Sequence, residues 1–355
     1  MEKQLPIYQQ IANDIEKQIK SNNFEYDSTI CTEKTLSEKY NVSRITAKHA
    51  ITSLEERGIL YRIRGIGSFV AKNTLGQTYA LVIPRKNANE GGMQVMEMAS
   101  QVFFDRGHHF TIHLCRPGMA ESVKLLENLF NHHISGIAYY YPPEADLPVE
   151  ILNAFVQKKK PVIILDKKVS YPEFSSIICD NYRGSYLLTE HLISYGHTQM
   201  CYLSRNEYTN YSSTLDRYNG FKDCLKDSGI NTEPRSVCYF TEKEKIPFYN
   251  IKHLVKTLHR EGITAILCDN DISAFSVYFC CQILGIRVPE DISITGFDNI
   301  EWATACNAQI TTIDQNFNLI GSTLAETLLD PDYKPGNHTI PVQLIPRAST
   351  GEVRR

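Results

Sequence analysis

Two short patterns lie side by side between Thr32 and Val70, and they restrict the fold of this part of the chain more than any other feature. The first pattern, Thr32–Thr46, has the spacing of two helices joined by a tight turn. The second, Ile59–Val70, places Gly65-Ile66-Gly67 between two short strands, as in a tight hairpin. A helix-turn-helix followed by a hairpin predicts a winged helix, a fold suited to binding duplex DNA.

The helix boundaries in this region can be predicted from capping residues and periodicity. An amphipathic helix is expected over residues 5–21, and a short helix from Thr32 or Glu33 to about Tyr40. Ser43 is a suitable N-cap for a helix over Arg44–Arg57. The residues expected on its buried face are Ala47, Ala50, Ile51 and Leu54.

Charge supports this interpretation, although the whole chain of 355 residues has a net charge of −3. Cations outnumber anions between Glu33 and Lys72, and a small basic region on a neutral body is compatible with DNA binding. The cations there are Lys34, Lys39, Arg44, Lys48, Arg57, Arg62, Arg64 and Lys72.

From Tyr79 the pattern changes to apolar strands alternating with helices, which is typical of parallel sheets covered on both faces. The predicted strands are Tyr79–Ile83, Phe110–Leu114, Gly136–Tyr141, Val162–Leu165, Met200–Leu203, Val237–Phe240, Ala265–Cys268 and Ile292–Phe297. The predicted helices are Gln94–Arg106, Glu121–His133, Tyr182–Tyr195, Leu215–Asp227, Tyr249–Glu261 and Ile272–Leu284.

Polar residues follow three of these strands directly: Asp166, Asp269-Asn270-Asp271 and Asp298-Asn299. Ligands of parallel sheets bind beyond the carboxyl ends of the strands, and carboxylates and amides there can bond to sugar hydroxyls. The alternative is that each residue caps the helix that follows, which is equally common for Asp and Asn.

Several other classes are not supported by the sequence. There is no Gly-x-Ser-x-Gly, His-Glu-x-x-His, Walker or dinucleotide-binding motif, so an enzyme is not expected. The 10 cysteines form no Cys-x-x-Cys pair and indicate reduced, buried thiols. No metal, cofactor, signal peptide or membrane span is expected, and the predicted location is the cytoplasm.

Residues from about Pro6 to Val70 resemble the winged-helix domain of GntR regulators. The matching segments include Thr32-Glu33-Lys34-x-Leu36, Tyr40-Asn41-Val42-Ser43-Arg44-x-Thr46 and Gly65-x-Gly67-Ser68-Phe69-Val70. The predicted DNA-binding residues are Lys34, Ser43, Arg44, Thr46, Lys48, Arg64, Gly65 and Gly67. The family's usual second arginine in the recognition helix is Lys48 here, which keeps the charge but not the bidentate geometry.

Residues from about Tyr79 to Thr350 resemble the effector domain of the lactose/galactose repressor family. The matching segments include Asp180-Asn181-Tyr182-Arg183-Gly184, Arg217-Tyr218-x-Gly220-Phe221 and Asp291-Ile292-Ser293-Ile294-x-Gly296-Phe297-Asp298. By this resemblance Asp166, Arg217, Asn270 and Asp298 bind the effector, with Gln315 and Phe317 as further cleft positions. One of the three successive tyrosines Tyr139-Tyr140-Tyr141 is expected to face the ligand while the others pack, because neighbours in a strand alternate. Tyr141 is the predicted ligand contact. Trp302 could stack on a sugar ring or pack as an ordinary aromatic.

The predicted fold is an α+β winged helix-turn-helix domain (residues 1–71), a linker (72–78) and an α/β two-lobed periplasmic-binding-protein-like (type I) effector domain (79–355). The first lobe is expected to comprise about 79–181 and 310–335, and the second 182–309 and 336–355. The expected partners are operator DNA, a second copy of the chain and a small sugar, for which a pentose such as arabinose is a candidate. The expected function is repression of carbohydrate-utilisation genes; an activator, an exported binding protein and a sugar-processing enzyme fused to a DNA-binding domain are the alternatives.

Overall fold

The computed structural model describes residues 5–22, 29–63, 66–71, 77–84, 90–116, 118–132, 134–140, 147–205, 212–230, 235–238, 247–304 and 307–353. The chain forms two compact units, and each is described by itself. The first contains residues 1–78 with 103–109, and the second contains residues 79–102 with 110–355. Within the described ranges no helix is both long and apolar enough to cross a membrane.

The first unit contains three helices and a small antiparallel sheet in its described part. Its elements are α1 (Ile7–Asn22), β1 (Thr29–Cys31), α2 (Glu33–Lys39), α3 (Arg44–Glu56), β2 (Leu60–Ile63) and β3 (Gly67–Val70). The sheet order is β1-β3-β2, and Ile63 pairs with Gly67 at the hairpin end. The predicted helix-turn-helix and hairpin are therefore confirmed, although β1 was not predicted.

Side-chain caps fix where the two central helices begin. The Thr32 side chain accepts a hydrogen bond from the backbone N–H of Thr35, and the Thr35 side chain accepts one from the backbone N–H of Thr32. Ser43 caps α3 as predicted, accepting from the Thr46 N–H at 3.1 Å. The predicted buried face of α3 is also confirmed, since Ala47, Ala50, Ile51 and Leu54 are fully buried.

The second unit consists of two α/β lobes, each built on a parallel β-sheet. In chain order its elements are β4 (Thr78–Pro84), α4 (Glu90–Asp105), β5 (His109–Cys115), α5 (Met119–Asn131), β6 (Gly136–Tyr140), α6 (Val149–Gln157), β7 (Val162–Leu165), β8 (Ser175–Cys179), α7 (Asn181–Ser194), β9 (Met200–Ser204), α8 (Ser212–Asp227), β10 (Arg235–Cys238), α9 (Pro247–Arg260), β11 (Ala265–Cys268), α10 (Asp271–Leu284), β12 (Ser293–Thr295), a 3₁₀ helix (Glu301–Ala303), β13 (Thr312–Asp314), α11 (Phe317–Leu329), β14 (Asn337–Ile340) and β15 (Gln343–Ile345).

The first lobe is built on a six-stranded sheet with the order β14-β8-β7-β6-β4-β5. The second is built on a four-stranded sheet with the order β10-β9-β11-β12. Each strand pair resolved in register is parallel in both sheets. The inner strands β7, β9 and β11 are almost wholly apolar and buried, as expected for sheets covered by helices on both faces.

Two segments near the end of the chain belong to the lobe opposite to the one predicted. Strand β14, expected in the second lobe, pairs with β8 in the first-lobe sheet. Residues 311–314, expected in the first lobe, continue the second-lobe sheet through the bridges Thr295–Thr311 and Asp298–Asp314. These strands are short, and β14 alternates exposed and buried positions at a sheet edge, so neither has the apolar run that identifies a buried strand. Helices α6 and α11 and strands β8, β13 and β15 were also not predicted.

Helices α7 and α8 of the second lobe cross at Gly220. A Cβ atom at this position would overlap the backbone carbonyl oxygen of Tyr182 on α7. The contact is with backbone, so the helices can admit a larger residue only by moving apart. Gly220 therefore sets the spacing of the helix pair that carries much of the site described below.

Replacing Gly220 by Ala is expected to destabilise the second unit by about 1–3 kcal/mol, because the added methyl overpacks this crossing. Gly336→Ala is the matched control, since a Cβ at Gly336 meets nothing within 4 Å. Calorimetric unfolding of both variants checks this. Equal melting temperatures for the two variants would contradict the importance of the crossing.

Candidate functional sites

The first unit carries an open groove of about 360 Å³ between the start of α2, the start of α3 and the β2–β3 hairpin. Its lining residues are Thr32, Glu33, Lys34, Arg44, Arg62, Ile63, Ile66, Gly67 and Ser68. The structure thus places Lys34, Arg44 and Gly67, three of the predicted DNA-binding residues, on one surface. Arg64 and Gly65 lie outside the described residues.

The cations of this unit divide into two groups. Arg57 pairs with Glu16, and Arg62 pairs with Glu33 at 2.5 Å and with Glu55 at 3.5 Å. Lys34, Arg44 and Lys48 are exposed, and none of them forms an ion pair with another described residue. The second group is therefore available to an anionic partner, whereas the first mainly stabilises the unit.

Ser43 and Thr46 hold the start of α3. Their side-chain oxygens are 2.9 Å apart, and both belong to the cap of the helix. Ser43 is exposed and Thr46 half-buried, and both lie at the amino end of α3. A helix amino terminus favours phosphate because its N–H groups point outward.

Sequence reasoning missed Ile45, which lies between Arg44 and Thr46. Its side chain is 69% exposed, although it is large and apolar. The helical period could have shown this, since Ile45 lies nearly opposite the buried Ala47 and Ala50 at 3.6 residues per turn.

In the second unit two of the predicted effector residues, Asp298 and Gln315, form a group with Arg217 of α8, which is 7% exposed. Its Nε donates to Asn181 Oδ1 at 2.7 Å, and its guanidinium carbon lies 3.7 Å from the centre of the Phe297 ring. Its Nη1 donates to the carbonyl oxygen of Asp269 and lies 3.6 Å from Asp298 Oδ1. No described residue accepts a hydrogen bond from its Nη2 group.

Asp298 is the charge partner of Arg217 and also accepts a hydrogen bond from the Gln315 side chain. Its backbone has a φ of 117°, and its N–H donates to Ile313, so the strained loop after β12 is held against β13. Burial raises the pKa of Asp298 to about 7, against the opposing attraction of Arg217. Arg217, Asp298 and Gln315, which are far apart in sequence, therefore form one bonded group.

The remaining predicted residues are placed less directly. Asn270 accepts from the Ser273 N–H at 2.8 Å and caps α10, so the capping alternative holds for its oxygen. Asp166 is half-buried at the end of β7 with a φ of 66°. Phe317 begins α11 and packs against Gly91. Tyr141 lies outside the described residues.

Three residues that frame this group were not named as effector-binding residues, although Asp269 and Asp271 belong to a polar strand end identified in the sequence. Asn181 orients Arg217, as described above. The buried Asp269 accepts from Ser273 Oγ and from the Arg205 N–H. The buried Asp271 accepts from Thr312 Oγ1 at 2.6 Å and from the Ile300 N–H at 3.0 Å, and burial raises its pKa to about 8. Trp302 packs edge-on against Phe275, with the ring centres 5.3 Å apart, which favours the second of the two interpretations given for it.

Hydrogen bonds join the two lobes beside the Arg217 group. Lys167 and Lys168 follow β7 of the first lobe and reach α8 of the second. Lys167 Nζ donates to Ser213 Oγ at 3.1 Å, and Lys168 Nζ donates to Asp216 Oδ2 at 2.7 Å. A further inter-lobe bond runs from the Glu301 N–H to Glu90 Oε1 at 2.6 Å. Among the described residues there is no group of three metal-binding side chains placed to hold an ion.

Comparison with known proteins identifies both parts of the chain. Residues 7–70 match the model of bacterial regulatory proteins of the gntR family. Residues 189–350 match the periplasmic binding protein-like domain. The chain is therefore a DNA-binding transcriptional regulator, not an enzyme, with a gntR-family domain followed by a periplasmic-binding-protein-like domain.

The arabinose metabolism transcriptional repressor of Geobacillus stearothermophilus is 24% identical over 369 residues, covering 99% of this chain and 100% of that one. The structure of a LacI family transcriptional regulator from Enterococcus faecium with bound ribose aligns with a TM-score of 0.66 at 24% identity. It covers 78% of this chain and 100% of that one. A lac repressor dimer bound to operator and an anti-inducer aligns with a TM-score of 0.64 at 25% identity, covering 78% and 94%. The predicted two-part fold is confirmed.

The raised pKa of Asp298 predicts a pH dependence of stability. Between its ordinary value of 3.8 and about 7, the folded state keeps a proton that the unfolded chain has released. This carboxyl group therefore lowers the free energy of unfolding as pH rises through that window. Asp298→Asn cannot ionise, so we expect its melting temperature to fall less than that of the wild type between about pH 5 and pH 7.

Calorimetry at both pH values checks this prediction, with the exposed Asp332→Asn as the control. The control is expected to follow the wild type. An Asp298→Asn variant that also follows the wild type would contradict the burial of an ionisable group here.

Proposed function

We propose that the chain represses carbohydrate-utilisation genes and is released from its operator by a small neutral sugar bound between the two lobes. The observation that carries this proposal is the Arg217–Asp298–Gln315 group beside the junction of the lobes, in a chain whose other unit binds DNA. Relatives named as arabinose metabolism repressors, and a structural neighbour with bound ribose, support a pentose such as arabinose. The regulator acts in the cytoplasm, where its operator is found.

In this proposal α3 enters the major groove of the operator. Arg44 and Lys48 contact base edges or phosphates, and Thr46, capped by Ser43, lies at a phosphate. Lys34 reaches the backbone or a guanine from the start of α2. The hairpin tip, Arg64-Gly65 with Gly67, approaches the minor groove, where glycine lets the backbone come close.

The sugar is held mainly by the second lobe. Arg217 offers Nη2, and Asp298 accepts hydroxyl hydrogen bonds with Gln315 beside it. The Asn270 amide nitrogen and Asp166 add further polar contacts, and Phe317 and Tyr141 supply apolar walls to the sugar ring. Alternating donors and acceptors on an apolar wall suit a polyhydroxylated ring better than an anion.

Release of the operator depends on helix α8, which carries both the sugar-binding Arg217 and residues that bond the first lobe. Asp216, which bonds Lys168 of the first lobe, directly precedes Arg217, and Ser213 lies one turn earlier on the same helix. A sugar that binds Arg217 therefore also changes the strength of the hydrogen bonds between the two lobes. The lobes are the two-state element on which the ligand acts.

A homodimer presents two DNA-binding units to a two-fold operator. Helix α10 has an exposed apolar stripe suited to pairing, formed by Ile272, Phe279 and Ile283, which are 51%, 48% and 49% exposed. Their spacing places them on one face of the helix. The neighbouring lac repressor structure is described as a dimer.

Replacing Arg44 by Ala is expected to lower operator affinity at least about tenfold, because one contact to a base edge is lost in each half-site. The second unit remains intact, so sugar binding is unchanged. Fluorescence anisotropy with a labelled operator checks this. Lys17→Ala, which removes an exposed cation from α1, is the control, and an Arg44→Ala variant that binds as tightly as this control would refute the placement of α3.

Replacing Arg217 by Met keeps an unbranched side chain at this position but removes the guanidinium, which lies over the Phe297 ring. We expect sugar affinity to fall at least about tenfold, because a charged hydrogen-bond donor is lost, while operator binding remains. Arg183→Met removes an exposed arginine of the same lobe and is expected to behave as the wild type. The cleft assignment is wrong if Arg217→Met releases the operator at the same sugar concentration as the control.

A further inference from the structure

The exposed side chain of Ile45 has no structural explanation within the first unit. The apolar core of this unit is formed by residues of α1, α2, α3 and the sheet, and Ile45 is neither buried in it nor among the half-buried side chains packed on it. A β-branched residue also adds no helix propensity at this position. Its 69% exposure leaves a large aliphatic group in water. Single exposed apolar residues are common on protein surfaces, so the significance of Ile45 comes from its position on α3.

The surroundings of Ile45 show what kind of partner would cover it. Arg44 precedes it and Lys48 follows one turn later, and both cations are exposed. The groove that contains Lys34 and Arg44 adjoins the same end of α3. A polyanion is therefore expected on this face of α3. Because Ile45 lies between the two cations, it would be covered by an apolar group of that polyanion.

Duplex DNA offers one such group in the major groove, the C5 methyl of thymine. Uracil presents the same hydrogen-bonding groups without this methyl. An isoleucine at the second position of a helix that enters the groove can reach the methyl while its neighbours bond phosphates or purines. Among the described residues of α3, Ile45 is the large aliphatic side chain on the exposed face.

We propose that Ile45 packs against the C5 methyl group of a thymine in each operator half-site and so determines one base of the operator. This inference rests on the proposed function, because it assumes that α3 enters the major groove. It adds a specificity determinant to the polar contacts of Arg44 and Lys48, and it makes the operator dependent on thymine as distinct from uracil.

The test uses a duplex selected from a random pool by the full-length wild-type protein, with each thymine replaced in turn by deoxyuridine. We expect one position in each half-site at which loss of the methyl weakens wild-type binding about fourfold, the effect of exposing one buried methyl-sized group. Ile45→Ala is expected to bind the thymine and deoxyuridine duplexes equally at that position and to keep the wild-type response at all others.

Ile7→Ala is the matched control, since Ile7 is a similarly exposed isoleucine, on α1. It is expected to keep the wild-type difference between thymine and deoxyuridine. The inference is overturned if wild-type binding is insensitive to every methyl, or if Ile45→Ala keeps the full difference at every position. Failure of the wild type to select any duplex over competitor DNA would overturn the proposed function as well, which distinguishes the two.

Discussion

The ligand-binding unit depends on one buried guanidinium, that of Arg217. It bonds Asn181 at the start of α7, the carbonyl oxygen of Asp269 after β11, and the carboxylate of Asp298 after β12. A buried charge of this kind is stable only when it is paired and its hydrogen bonds are satisfied. Arg217 therefore fixes the positions of three chain segments, and no described residue accepts a hydrogen bond from its Nη2 group.

Two opposing effects act on the protonation of Asp298, the partner of Arg217. Burial favours the protonated carboxyl group, whereas Arg217 favours the carboxylate. A sugar hydroxyl that donates to Asp298 would favour the carboxylate further. Asp216 and Ser213 on the same helix bond the first lobe, so α8 connects Arg217 with the contact between the lobes.

In the first unit, the cations that form ion pairs are different from those that stay exposed. Arg57 and Arg62 are used in ion pairs that join its elements, while Arg44, Lys48 and Lys34 stay exposed on the face of α3 and the adjoining groove. The local positive charge visible in the sequence is thus only partly available to DNA. Recognition of sequence must come from a few side chains, which is why the apolar Ile45 among them matters.

Much of this could be predicted from the sequence, because capping residues and periodicity act locally. Ser43, the buried face of α3 and strands such as Val162–Leu165 follow from such patterns. The short strand Asn337–Ile340 could not be assigned to its lobe, since its place depends on pairing with a strand far away in the sequence. Polar ends of strands indicated Asp166, Asp269-Asn270-Asp271 and Asp298, whereas Asn181 acts through Arg217, which only the fold brings near it.

The most direct test of the link between the two units is the anisotropy of a labelled operator bound to the wild-type protein, titrated with a panel of pentoses and hexoses. We predict that one sugar releases the operator and that the same sugar raises the melting temperature of the protein. A sugar that raises the melting temperature but leaves operator affinity unchanged would contradict control of DNA binding by the cleft.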